Sequence, residues 1–321
     1  MKKPKFLLIG HDQCDWHSWS TADCTAIYNP NDIEICCCDV NIIKSIPNDL
    51  SAFDGIVIST PNYEKTDVRF VCDMLGFGLP VLVCKLRLNS SEDLNPIRKL
   101  PADTRKRLRI GEHYQYMPGA VSAYNTIHKK VLGNIEYISL NCILPLNDRP
   151  DWMNAYNHLI LEDLAYHHLA VVASICGDVS GLIYASSYSP SWLTNPDRTY
   201  SAFLLNADAG WHFVYDTRWG AVTMEGNFFG ELTIEGTNGQ IWTNGQRAIL
   251  KLRNGGMIEQ ETLQPRYNGW SGTVDHFGDL NMKNHSVDYP SLKIFDEFDI
   301  IIRLLYGAVK SAEQNVPVQV N

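Results

Sequence analysis

Apolar and polar positions follow two rhythms along this chain. In the first part, short continuous apolar runs end in glycine, an acid or a lysine: 5–10 (KFLLIG), 33–40 (IEICCCDV), 55–59 (GIVIS) and 80–84 (PVLVC). Such runs predict strands covered on both faces, the pattern of a parallel sheet with helices on each side. After the helical stretch around 160–176 the rhythm changes. Segments 181–188, 201–206, 210–215, 230–235 and 240–243 are short, aromatic-rich or alternating, and are divided by glycine, asparagine or aspartate. They predict strands of a largely antiparallel sheet. The fold class expected is therefore α/β plus α+β: an N-terminal doubly wound parallel sheet, then a domain with an open, largely antiparallel sheet and flanking helices. Pro118-Gly119 punctuates the change, which sets the expected domains at 1–117 and 118–321.

The first run has the form of the opening strand of a Rossmann-like nucleotide-binding domain, with Gly10 at its end. In the loop G-x-G-x-x-G the second glycine lets the backbone approach a pyrophosphate and the third lets helix pack on strand. Here Asp12 and Asp15 stand at those two positions. A carboxylate about 6 Å from a pyrophosphate charge, at an effective dielectric near ~20, costs about 2–3 kcal/mol per pair. One such term weakens binding roughly a hundredfold. The alternative is that either aspartate caps the next helix, with His11 and His17 softening the charge. Asp39 ends the second run, where such domains place the carboxylate that accepts from a ribose. It favours NAD over NADP, because a carboxylate repels a 2′-phosphate and Asn41 supplies no arginine. The third run leads into Thr60-Pro61-Asn62 and the fourth into Lys85, both at the carboxyl edge of the expected sheet.

Composition narrows the class. A chain of 321 residues, 45% hydrophobic and 20% charged, is long enough for two cores. The net charge of -9 argues against a nucleic-acid surface, and the basic stretch 105–109 is expected to be a solvated helix end. No run has the length of a membrane span, and Met1-Lys-Lys-Pro-Lys leads straight into the first strand, so a cytoplasmic protein without signal peptide or membrane partner is expected. The nine cysteines are odd in number, three of them consecutive at 36–38, and none forms a C-x-x-C pair. They read as reduced, mostly buried thiols, with no disulfide framework and no metal site.

Several segments carry a specific resemblance. ISTPNYEKTDVRFVCDMLGFGLPVLVCKLRLNSSEDL resembles the Gfo/Idh/MocA oxidoreductase family, whose pattern is a T-P-N turn, a helix and E-K-P on a strand end. Lys85 falls on the family's lysine, while Cys84 and Leu86 replace the Glu and Pro beside it. GEHYQYMPGAVSAYNTIHKKVLGNIEYISL is similar to the start of the family's second domain, an aromatic strand ending in proline, then a helix and a G-x-I strand. LEDLAYHHLAVVASICG resembles the D-x-G-x-H helix: Asp163 and His167 match, and Ala165 replaces the glycine. LLYGAVKSAEQNVPVQV is similar to the closing helix and strand. The resemblance implies a nicotinamide cofactor, NAD or NADP, gripped by Gly10, Asp39, Thr60, Pro61 and Asn62, and a catalytic set of Lys85, Asp163 and His167. It also implies homodimer or homotetramer packing through the open sheet.

The chemistry explains why those residue types are needed. Oxidising a sugar or polyol hydroxyl removes the O–H proton while hydride leaves the carbon, so a positioned acid/base must lie within hydrogen-bond reach of the oxygen. Lys85 and His167 are candidates, and Asp163, four residues before His167 on one helix face, suits orienting the imidazole. Against this, a strand-end lysine is usually a solvated charge, and neighbouring His168 shows that histidine is not rare here. Tyr114 and Tyr116 are candidates to line a substrate pocket, or are core packing. Trp152 and His158 precede the catalytic helix where the family has a glycine-rich turn, and imply a reshaped pocket or a differently packed loop. Three functions stay open. They are a nicotinamide-dependent oxidoreductase of a sugar, cyclitol or related small molecule, a cofactor-free lyase, isomerase or cyclase using the same groups, and a non-catalytic metabolite-binding paralogue.

Overall fold

A computed structural model describes residues 4–10, 34–39, 50–59, 66–145, 156–193, 198–222, 226–260, 266–282 and 288–321. The chain divides into two compact units. The first comprises Met1–His113, Arg266–Val287 and Ser291–Phe298, and the second Tyr114–Pro265, Asp288–Pro290 and Asp299–Asn321.

Among the described residues of the first unit, five strands form one parallel sheet: β1 (Lys5–Gly10), β2 (Glu34–Asp39), β3 (Gly55–Ile58), β4 (Val81–Val83) and β5 (Leu108–Ile110), in the order β2-β1-β3-β4-β5. Phe6 to Ile9, Ile56 to Ile58 and Val81 to Val83 are all buried, as strands covered on both faces must be. The strand order reverses between β1 and β3, and in such sheets ligands bind outside the carboxyl ends at that reversal. The helix Val68–Gly76 follows β3; Asp67 caps it by accepting from the backbone N–H of Arg69 and Phe70 at 3.0 and 3.1 Å.

In the second unit, described strands β6 (Ile135–Leu144), β7 (Gly181–Tyr188), β8 (Tyr200–Ala207), β9 (His212–Trp219), β10 (Glu231–Gly236), β11 (Gly239–Thr243), β12 (Ala248–Leu252), β13 (Gly255–Gln260) and β14 (Val318–Val320) make one sheet. Their order is β13-β12-β11-β10-β6-β9-β8-β7-β14, with β6 and β9 parallel and every other pair antiparallel. Burial alternates along these strands. Phe203, Leu205, Phe213, Tyr215, Leu232 and Ile234 face the core, while Leu182, Tyr184, Tyr188 and Leu204 lie on the other face, 39–55% exposed. The helix Pro118–His128 docks against the inner face at Gly119. A Cβ there would collide with Thr243 Oγ1 and the Arg247 carbonyl, so only glycine allows the approach.

Two local expectations are corrected. The aromatic segment before Pro118 is a single 3₁₀ turn, Tyr114–Tyr116, not a strand; Met117 N–H donates to the Tyr114 carbonyl at 3.0 Å and winds the chain into the next helix. Arg109 is not part of a solvated helix end. It lies in β5, its Nη1 donates to the Leu292 carbonyl at 2.9 Å, and burial pulls its pKa below the usual arginine range.

Candidate active site

The carboxyl edge of the parallel sheet carries the first group of candidates. Gly10 and Asp39 are neighbours in the β1–β2 register, so the last residue of the first strand lies beside the acid that ends the second. Thr60, Pro61 and Asn62 lie outside the described residues, as do Asp12 and Asp15. Lys85 lies two residues beyond the end of β4 and is 7% exposed. Its segment is pinned from the side. Thr66 Oγ1 accepts from Arg87 N–H at 2.9 Å and donates to the Lys85 carbonyl at 3.5 Å, and Thr66 N–H donates to the Arg87 carbonyl at 2.8 Å. Lys85 therefore belongs to a fixed, buried strand end and not to a solvated loop.

The second unit carries the other group. Asp163 lies in a one-turn π-helix, Ile160–Leu164, that passes directly into the helix Ala165–Cys176 bearing His167. Such π turns are rare and recur at functional sites. Asp163 and His167 are 3% and 1% exposed. The ring of Tyr114 stacks on His167 with centroids 4.8 Å apart and planes at 26°, and Tyr166 meets the imidazole edge-on at 5.3 Å and 78°. The imidazole plane is thus fixed by two aromatic rings. Tyr116 is buried at 1% exposure. Trp152 lies outside the described residues.

His158 is held by charge. Arg198 Nη1 is 2.9 Å from its Nε2, Glu313 Oε1 is 3.4 Å from the same nitrogen, and its backbone N–H donates to Glu162 Oε2 at 2.7 Å. Burial lowers its pKa, Arg198 lowers it further, and Glu313 opposes both.

His168, adjacent to His167, has the opposite character. Its Nε2 lies 2.7 Å from the Phe228 carbonyl and its Nδ1 3.0 Å from the Tyr215 hydroxyl. A carbonyl only accepts, so Nε2 carries the hydrogen and Nδ1 receives the tyrosine proton. Burial pushes the His168 pKa down to about 3 despite the opposing Phe228 hydrogen bond, so the ring is neutral at ordinary pH. Burial also pushes the Tyr215 hydroxyl far up, and the Asp163 carboxylate adds to that push. The His168–Tyr215 pair clamps the helix to β9. Sequence reading did not find this clamp. The signal available was a histidine pair on one apolar helix, where only one ring can share a given face.

No family profile and no curated protein sequence matches the chain. Solved structures do. An oxidoreductase from Agrobacterium radiobacter in complex with NAD+, L-tartaric acid and magnesium is 17% identical, with 99% of this chain and 98% of that one covered and a TM-score of 0.76. An inositol dehydrogenase homologue from Azotobacter vinelandii, complexed with NADH and myo-inositol, is 11% identical, with 99% and 98% covered and a TM-score of 0.74. An oxidoreductase from Pseudomonas syringae is 12% identical, with 99% of each chain covered and a TM-score of 0.74. At such identities the likeness speaks of fold alone, and at that level it bears out the expected pairing of a Rossmann-like domain with a sheet domain.

Proposed function

We propose that this protein is a nicotinamide-dependent oxidoreductase acting on a hydroxyl or carbonyl of a sugar, cyclitol or related small molecule. The observation that carries the reading is the carboxyl edge of the first unit, where Gly10 and Asp39 are register neighbours at the strand-order reversal and Lys85 is a buried strand-end cation. These positions fit a dinucleotide: the strand end for close backbone approach, the acid for a ribose diol. The structural neighbours solved with NAD+ or NADH support the same cofactor class. Bound nicotinamide supplies the hydride acceptor or donor. Lys85 is proposed to hold a proton at the reacting oxygen, and His167, with its plane fixed by Tyr114 and Tyr166, to exchange a proton with a substrate hydroxyl while Asp163 orients it. Asp39 favours NAD over NADP.

The second reading, a cofactor-free lyase, isomerase or cyclase, is favoured by Asp12 and Asp15 standing where the loop glycines belong. Reduced-nicotinamide absorbance separates the two when nucleotide-stripped protein is given NAD and a panel of sugars, cyclitols and polyols. Oxidoreductase chemistry predicts substrate-dependent reduction that vanishes without NAD. Conversion of a substrate by the stripped protein alone supports the second reading.

The exposed face of the second unit's sheet, with Leu182, Tyr184, Tyr188 and Leu204, supports a homodimer or homotetramer packed through it. Light scattering on the native chain and on Leu204→Lys tests this: the variant is expected to run at a smaller mass, and an unchanged mass argues against that face. Among the described residues no helix is long and apolar enough to cross a membrane.

A further inference from the structure

A buried lysine needs a counter-charge, because an ammonium taken out of water without one is strongly disfavoured. The residues flanking Lys85 offer none, since Cys84 and Leu86 are apolar and buried. Several other described carboxylates of the unit are committed: Asp54 to the Lys5 N–H, Asp67 and Asp93 to helix-capping N–H groups, Asp279 to Arg266 and Tyr267. The sheet register points to one that is not in the same stretch of sequence.

β4 and β5 run parallel, with Val81 beside Leu108 and Val83 beside Ile110, all buried on one face. The pairing continues past the last paired residues. Gly111 N–H donates to the Val83 carbonyl at 2.7 Å, and the strands lie so close that a Cβ on Gly111 would sit 2.8 Å from the Cys84 oxygen. Side chains alternate along a strand, so the next neighbours on the face of Val83 and Ile110 are Lys85 and Glu112. Glu112 and Lys85 are both buried, at 2% and 7% exposure. One oxygen of Glu112 is already placed: Oε1 accepts from His113 N–H at 2.8 Å and lies 3.8 Å from His113 Nδ1. Thr273 Oγ1 donates to the Glu112 carbonyl at 3.4 Å, and His113 stacks on Trp270 with centroids 4.6 Å apart, so the acid sits on a braced backbone.

We propose that Glu112 is the counter-ion of Lys85, a positioning residue that holds the lysine aimed along the sheet edge. Charged neighbours among the described residues include Arg87, two residues beyond Lys85; Arg109, whose Nη1 donates to the Leu292 carbonyl; and His113, next to Glu112. The inference rests on the proposed function only in giving the pair a catalytic meaning; the pair itself is independent of turnover.

A double-variant cycle of Lys85→Met, Glu112→Gln and both together, read as urea denaturation midpoints, tests it. Each single variant strands one buried charge or its partner, and the double removes both. The double is therefore expected to lose clearly less than the sum of the singles, and strict additivity overturns the pair. A second readout is acylation of Lys85 by an amine reagent, followed by mass spectrometry. Glu112→Gln is expected to raise its rate about tenfold by releasing the lysine side chain from its partner, while Glu112→Asp stays nearer the native rate; equal rates in all three proteins overturn the proposal. If Lys85→Met leaves turnover intact while the cycle shows coupling, the catalytic reading of Lys85 falls and the pair stands.

Discussion

The carboxyl edge of the parallel sheet and the helix bearing Asp163 and His167 hold their chemistry by different means. At the sheet edge, position comes from backbone register. Gly10 lies beside Asp39, Ile110 beside Val83, and Gly111 fits against Cys84 because it has no side chain. On the helix, position comes from side chains: a π turn under Asp163, two rings around His167, and the His168–Tyr215 clamp. The difference teaches that the two functions carry different liabilities. In the proposed function, nucleotide affinity depends on the charge that the sequence places after Gly10, at Asp12 and Asp15. The proposed acid/base group, His167, stands next to a histidine tied into buried hydrogen bonds, so its position and the stability of the fold are linked.

The sharpest test of that contrast is Lys85→Ala. It should lower turnover by about 10²–10⁴-fold, the usual contribution of a positioned acid/base, while leaving NADH affinity unchanged in calorimetry. Parallel loss of turnover and affinity would show that the edge is a single cooperative unit. His168→Phe should cost about 2–5 kcal/mol in urea denaturation, because it strands the Tyr215 hydroxyl and the Phe228 carbonyl, both buried. His167→Phe, which keeps an aromatic ring against Tyr114, should cost less than that in stability and more in turnover. Equal stability losses would remove the distinction between the two histidines.

Next in size is the double change Asp12→Gly with Asp15→Gly. It should tighten NADH binding at low salt by roughly a hundredfold, about 2–3 kcal/mol, for each of the two carboxylates that lies about 6 Å from the pyrophosphate. The effect should shrink as salt is added. Unchanged affinity would mean that these aspartates serve only as helix caps.

The effect that is smallest at any one pH step is a pH slope. His168 titrates at about 3 in the folded chain and near 6.5 as an ordinary histidine, so between those values the unfolded state binds the proton and the folded state does not. Its contribution to stability is intact above the unfolded value and is lost as pH falls, at roughly 1.4 kcal/mol per pH unit. Denaturation at several acid pH values should show a shallower slope in His168→Phe than in the native chain.

Much of the fold was legible in the hydrophobic pattern, for a physical reason. β1 and β7 have the expected limits, and β2, β3, β4, β8, β10 and β11 lie within a residue or two of theirs, since burial on two faces or one writes itself directly into the sequence. β12 and β13 were not read. Met257 and Ile258 of β13 are 73% and 50% exposed, so no alternation betrays that strand. The segments Arg266–Val287 and Ser291–Phe298 pack with the first unit, a long-range placement that leaves no local periodicity. Site residues divide in the same way. Lys85, Asp163 and His167 became candidates because their motif stands in the sequence. Glu112 was not, because its meaning arises only when the β4–β5 register sets it beside Lys85. The π turn escaped as well, because no residue type in the sequence marks one extra residue in a helical turn.

The central claim is that the first unit still holds a nicotinamide nucleotide at its carboxyl edge despite Asp12 and Asp15. Calorimetric titration of the nucleotide-stripped protein with NADH and NADPH, at low and physiological salt, tests it most directly. The account predicts micromolar binding of NADH, weaker binding of NADPH, and a dependence on salt. No binding of either nucleotide up to millimolar concentration would contradict it and leave Lys85, Asp163 and His167 as the machinery of a proton-transfer reaction without a cofactor.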